Sequence, residues 1–208
     1  MRPIRALMAG VVVFLALIVL FIAGMHHALA REGPAELIPL LEHKDLAVRF
    51  EAGYALANLG ADARSAVPAL VEMLRGDDHD SAEIATLVLA RISPDPAIEP
   101  AVPLLIETVQ SLEKGWTAQI NAAVALLRLG REEEKARAVV RDELYQSLLL
   151  PLLKDRQPVN RLHVCEVLMF AGPPLRQDSL DLLRKAAAED EDARVREAAT
   201  EALRKAGR

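Results

Sequence analysis

The segment DLAVRFEAGYALANLG, residues 45–60, reads as one amphipathic helix. Val48, Ala52, Ala55, Leu56 and Leu59 fall at i, i+4, i+7, i+8 and i+11, one face of a helix. Asp45 suits the N-cap, where its carboxylate accepts a bond from an unpaired first-turn amide. Gly60 suits the end, because glycine takes the left-handed conformation at little cost. Two of the five inward residues are alanine, so the helix is shaped for close approach to other helices.

The pattern returns four times. At Ser81–Ser93 the inner face is Ser81, Ala85, Val88, Leu89 and Ile92. At Ala118–Gly130 it is Ala118, Ala122, Ala125, Leu126 and Leu129. At Asn160–Gly172 it is Asn160, Val164, Val167, Leu168 and Ala171, and at Val195–Gly207 it is Val195, Ala199, Ala202, Leu203 and Ala206. Of these 25 positions 23 are apolar, which marks an internal repeat. A second device accompanies it: Ile38-Pro39-Leu40-Leu41, Val67-Pro68-Ala69-Leu70, Val102-Pro103-Leu104-Leu105 and Leu150-Pro151-Leu152-Leu153. Each proline should kink the preceding helix or mark a late start, because it lacks an amide donor. The unit is therefore a helix pair, and its ends near Gly60, Ser93, Gly130, Gly172 and Gly207 give periods of 33, 37, 42 and 35 residues. Periods of this size fit a two-helix solenoid.

Asp45–Asp77 resembles the HEAT repeat, in the short variety first noted in phycobilisome lyase subunits. Asp45, Val48-Arg49, Ala52, Leu56 and Gly60 match that pattern, as do Asp192, Val195-Arg196, Ala199, Leu203 and Gly207. The middle departs from it, with Ala82 and Gln119 where the arginine stands, although Arg161 restores it. The resemblance covers residues 34–208 and implies a right-handed stack of antiparallel helix pairs. Such proteins usually serve as binding scaffolds.

The expected fold is all-α: an α-solenoid of about five HEAT-like helix pairs over 34–60, 61–93, 94–130, 131–172 and 173–208. Composition agrees. The chain is 52% hydrophobic but only 3% aromatic, so its apolar content is small aliphatic side chains, which argues against a β-sandwich or barrel.

Ahead of the repeats, residues 1–5 form a basic flank and residues 6–25 carry no charge and no strongly polar side chain. As a helix that run would span roughly 30 Å, the thickness of a hydrocarbon core. Two readings stand. Its length favours a transmembrane anchor, and Ala28-Leu29-Ala30 favours cleavage of a signal segment. Residues 26–33 form a linker, in which His26 and His27 read as interfacial residues. Either reading exports the repeat domain if the positive end stays inside, leaving it membrane-tethered or, after cleavage near Ala30, secreted or periplasmic.

Charge excludes one class of partner. After residue 30 there are 23 basic residues against 30 acidic ones, a balance of −7 with no basic stripe, which disfavours nucleic acid and a glycosylase-like reading. Cys165 is the only cysteine, so neither an internal disulfide nor a cysteine-rich metal site is available. His163 lies two residues away, roughly 200° round a helix, and cannot act as its base. Asp77, Asp78, His79 and Asp80 lack the alternating spacing of a calcium loop and read as caps between helices. Glu132, Glu133 and Glu134 read as a solvated first turn. Arg49, Arg161 and Arg196 read as inter-repeat bonds to an acid or a helix-terminal carbonyl. No catalytic residues, cofactor or metal are expected.

The outward faces of the second helices carry Phe50 and Tyr54, then Leu87, then Ile120, Val124 and Leu127, then Leu162 and Met169. The last repeat has Glu197, Glu201 and Arg204 instead, as a capping repeat requires. The upstream positions read either as inter-helix packing or as a groove for a partner. The expected partner-binding set is Phe50, Tyr54, Leu87, Trp116, Ile120, Val124, Leu162, Glu166 and Met169, with Arg49, Glu83, Gln119 and Arg128 as further rim. The expected function is a membrane-tethered, non-catalytic protein-binding scaffold. The alternative is a lyase-like subunit that assists chromophore or other protein modification, which the lyase resemblance suggests and the export segment opposes.

Overall fold

The computed structural model describes residues 32–111, 113–131 and 134–207. The apolar segment 6–25, the proposed cleavage point near Ala30 and Glu132 and Glu133 lie outside the described residues. Among those described, no helix is long and apolar enough to cross a membrane, and every regular element is helical.

The chain alternates outer and inner helices. The inner ones are α2 (Leu46–Leu59), α4 (His79–Ile92), α6 (Trp116–Arg128), α9 (Pro158–Ala171) and α11 (Ala193–Lys205). The outer ones are α1 (Pro34–Leu37), α3 (Val67–Arg75), α5 (Val102–Gln110), α7 (Glu134–Arg141), α8 (Glu143–Leu149) and α10 (Gln177–Glu189). Inner helices pack successively, α2 on α4, α4 on α6 and α9 on α11. Between α6 and α9 the step is wider, because α7 is wedged against both. This is an α-helical solenoid.

Each proline device sits where one helix type gives way to another. Pro39 and Pro151 lie in the 3-10 turns Ile38–Glu42 and Leu150–Lys154, which follow α1 and α8. Pro68 and Pro103 occupy the first turns of α3 and α5, after the 3-10 turns Gly60–Ala66 and Pro96–Ala101. A missing amide costs nothing there, since first-turn amides have no partner within the helix. Asp45 caps as read, accepting from Ala47 N at 2.9 Å, and Asp192 caps its own helix by accepting from Arg194 N at 2.8 Å. Gly60 has φ 57° and ψ −128°, a positive-φ conformation outside the left-handed helical region that only glycine adopts readily.

The inner-face positions form the core. None of the 25 is exposed, and Ala52, Leu56, Val88, Leu89, Ala122, Leu126, Val164, Val195 and Ala199 have essentially no accessible surface. Small residues set the spacing. A Cβ on Gly53 of α2 would lie 2.7 Å from Ile84 Cγ2 of α4.

The arginine ladder is structural. Arg49 reaches His43 O at 3.4 Å and Asp78 at 3.7 Å. Arg196 Nη1 donates to Asp190 O and Glu191 O at 2.6 and 3.0 Å. Arg161 does most: Nη1 donates to Asp155 O at 2.8 Å, while Nε and Nη2 grip Asp190 at 2.8 and 2.9 Å. Both side chains of the Arg161–Asp190 pair are more than nine-tenths buried. The Arg161 hydrogen bond leads in holding the Asp190 carboxyl below its usual range.

Two outcomes follow. Gly53→Ala gains up to about 1 kcal/mol of helix propensity but presses a methyl into a stiff β-branched neighbour at about 1–3 kcal/mol. Net destabilisation of about 1–2 kcal/mol is expected on thermal unfolding, and an unchanged or raised Tm contradicts the close packing. Because the folded Asp190 pKa is depressed, its contribution is present above the unfolded value of about 3.9 and is lost as pH falls through the folded value. Asp190→Asn should therefore cost about 3 kcal/mol at pH 7 and flatten the acid limb of the stability curve, read by denaturant unfolding from pH 7 to 2.

Candidate functional site

The inner helices curl until the first meets the last two. α2 packs on α9, and Asn160 Nδ2 donates to Tyr54 Oη at 3.4 Å. Arg194 of α11 donates to Asn58 O at 3.3 Å and Asn58 Oδ1 at 3.2 Å. Closure fills the middle of the concave side and leaves a cavity at each end of the inner helices.

The expected partner strip is divided by this closure. Ile120 and Val124 have 0% exposure and are core, so they cannot contact a partner. The α6 face that carries them lies under its neighbours, because a middle helix in a tightly curled stack is covered on every side. Leu127 and Leu87 are also buried, although Leu87 still lines one cavity. Gln119 is buried too, donating to Val109 O at 3.5 Å and accepting from Tyr145 Oη at 3.1 Å, which removes it from any rim. Phe50 is half-buried beside Tyr54, with ring centroids 6.3 Å apart. The rest separate: Tyr54, Glu83, Leu87 and Trp116 go to one end, and Arg128, Leu162, Glu166 and Met169 to the other.

The cavity at the carboxyl ends of α2, α4 and α6 measures about 430 Å³. Glu166 sits between two arginines: it is hydrogen-bonded to Arg91 Nη2 and accepts from Arg128 Nη1 at 2.9 Å. Burial, then the charges of Arg128 and Arg194, push the Arg91 pKa down to about 9, so it stays protonated at neutral pH. Both arginines lie in last helical turns, where the negative helix end favours a cation.

The cavity at the amino ends of α4, α6 and α9 measures about 230 Å³. Trp116 stands at its edge, 36% exposed, at the first position of α6. Gly115 places it there: φ is 82°, and a Cβ would fall 1.9 Å from His79 Cε1. His163 and Asn121 also line this cavity, and both are almost completely buried. Neither His163 ring nitrogen has a hydrogen-bond partner, nor does Asn121 Oδ1, although Asn121 Nδ2 donates to Thr86 Oγ1 at 3.4 Å. Burial, then the Arg91 and Arg128 charges, push the His163 pKa down to about 3, so the imidazole is neutral. Glu83 is raised above the usual carboxylate range by burial. Tyr54 is raised by burial first, against the Asn160 hydrogen bond, and then by the charges of Glu83, Asp155 and Glu51.

Sequence reasoning missed His163, Asn121, Arg91 and Arg194 as lining groups. A signal existed for Asn121, the one amide within the apolar run Ile120–Leu127. Cys165, read as packing, is fully buried; burial and then the Asp190 charge push its thiol up to about 12. Asp78 caps α4 by accepting from Ser81 N at 3.0 Å.

Comparison with known proteins decides the repeat type, since the sequence model of HEAT repeats matches residues 140–204. That part of the chain is made of HEAT repeats. The match spans α8 to α10 and nearly all of α11, thus the HEAT units that hold Glu166, His163 and Arg194. A crystal structure of an engineered protein is similar at 24% identity, covering 82% of this chain and 78% of its own, with a TM-score of 0.40. None of the curated proteins compared matches the chain.

Removing the negative charge between the arginines should be costly. Glu166→Gln is expected to destabilise by about 3 kcal/mol, the lower end for breaking a buried ion pair. Arg91→Met combined with Glu166→Met should recover most of that loss. Chemical denaturation of the three proteins checks it, and a Glu166→Gln variant as stable as its parent contradicts the buried triad.

Proposed function

We propose that this chain is a membrane-tethered, non-catalytic scaffold that binds a protein partner through its amino-end cavity. HEAT repeats commonly mediate protein–protein interaction, and the repeat type is established over residues 140–204. The observation that carries the reading is Trp116, a large aromatic held partly exposed at the edge of the amino-end cavity by a glycine no other residue replaces without displacing His79. Tryptophan at such a position is the residue type most enriched among binding hot spots.

The tether in this proposal is residues 6–25, with the repeats on the extracytoplasmic side. The uncharged run long enough for a hydrocarbon core supports it. A buried thiol pushed up to about 12 supports the non-catalytic part, since thiolate is the nucleophilic form.

The test is capture from the chain's own envelope with a cross-linker, using full-length protein. A specific protein should be recovered with the wild type. Trp116→Ala should weaken it roughly 30-fold, the factor for a hot spot of about 2 kcal/mol, without lowering Tm. Full-length protein should stay in the membrane pellet through an alkaline wash. Equal recovery by Trp116→Ala, or no recovery even after cross-linking, removes the scaffold reading; release by the wash removes the tether.

A further inference from the structure

Two residues of the amino-end cavity carry acceptors that the fold does not use. Asn121 Oδ1 has no partner, and neutral His163 offers one nitrogen lone pair. Glu83 and Asp155 add carboxylates, Asp155 Oδ1 also accepting from Gln157 N at 2.7 Å, and Glu51 lies near enough for its charge to act on Tyr54. Among the described residues no lysine or arginine lines this cavity. Tyr54 and Trp116 contribute two aromatic rings.

From this placement we infer that the cavity receives a cationic side chain of the partner, with arginine the best match. The inference rests on the scaffold reading above and names the chemistry that the site selects. Three features carry it. Acceptors approach from α4, α6 and α9 together, and a guanidinium presents five donors in a fixed fork while an ammonium presents three. Aromatic rings beside a carboxylate attract a cation through the ring quadrupole. At about 230 Å³, the space equals roughly eight water volumes of about 30 Å³ each, enough for the heavy atoms of one arginine side chain.

The amino ends of α4, α6 and α9 oppose a cation. Each contributes about half a positive charge, which falls off within a turn. Asp78, the α4 cap, already answers one of these ends, and two carboxylates within the cavity wall exceed what remains. An anion faces the reverse balance: two carboxylates repel it, and a neutral imidazole gives it a single donor. Burial first, and then the charges of Arg91 and Arg128, hold His163 neutral, and both arginines are themselves engaged by Glu166 one turn farther along α9.

The test uses Trp116, the only tryptophan of the chain, as its own reporter. Full-length protein is titrated with the peptide acetyl-Gly-Arg-Gly-amide and with the same peptide carrying citrulline, the neutral isostere, at constant ionic strength. A saturable change in Trp116 emission is expected with arginine, and binding at least tenfold weaker with citrulline. Glu83→Gln, which keeps the shape of the side chain, should weaken arginine binding at least tenfold, and Glu107→Gln on the outer helix should leave it unchanged. Equal response to both peptides, no response to either, or full affinity in a folded Glu83→Gln variant overturns the inference. Should Glu83→Gln lower Tm, Asn121→Asp serves instead, expected to tighten arginine binding; weaker or unchanged affinity there also overturns the inference. A partner captured in a Trp116-dependent manner while citrulline binds as well as arginine defeats this inference alone. Arginine binding without any captured partner supports the cation site and defeats the scaffold reading.

Discussion

The contact of the first inner helix with the last two governs this molecule. In an open solenoid each unit touches only its neighbours, and stability is close to a sum of local terms. Here Asn58 meets Arg194 and Tyr54 meets Asn160, joining units far apart in the chain. That reach depends on thin inner helices. Gly53 against Ile84, and the alanines at positions 52, 55, 118, 122 and 125, bring successive axes close on the inside.

Closure also sorts the charge. One end of the inner helices gathers Arg91, Arg128 and Arg194 around Glu166, where negative helix ends favour cations. The other gathers Glu83 and Asp155 with two aromatic rings. His163 lies between these regions, and its neutrality follows from both: burial removes its hydration, and the two arginines oppose a further positive charge. Asn121 and His163 keep unused hydrogen-bonding groups side by side in one cavity wall, and unspent polarity in a protein interior is where a ligand finds purchase.

What the sequence revealed was local. Helical periodicity identified the inner faces at Val88, Leu126 and Val164, because a 3.6-residue repeat is visible within a few turns. Asp45 was legible as a cap, and the prolines as junctions, for the same reason. The outward strip was not. Whether Ile120 and Val124 face solvent depends on the accumulated rotation over several units, and no short window encodes a sum of small angles. The places of Trp116 and Tyr54 depend on the meeting of α2 with α9, which joins units distant in sequence. Glu166 illustrates the limit: its position suggested a rim, yet two arginines from other units enclose it, and neither lies nearby in sequence.

The seam between Asn58 and Arg194 has a mechanical meaning. A pull that separates the two ends of the repeat domain does not stretch all units alike. It loads the polar seam first, where a few hydrogen bonds, rather than an apolar interface, hold the ring shut. Once these yield, the first inner helix can part from the last while the packing between successive inner helices persists. The seam thus acts as a clasp between distant units, a property that an open stack of the same helices would lack.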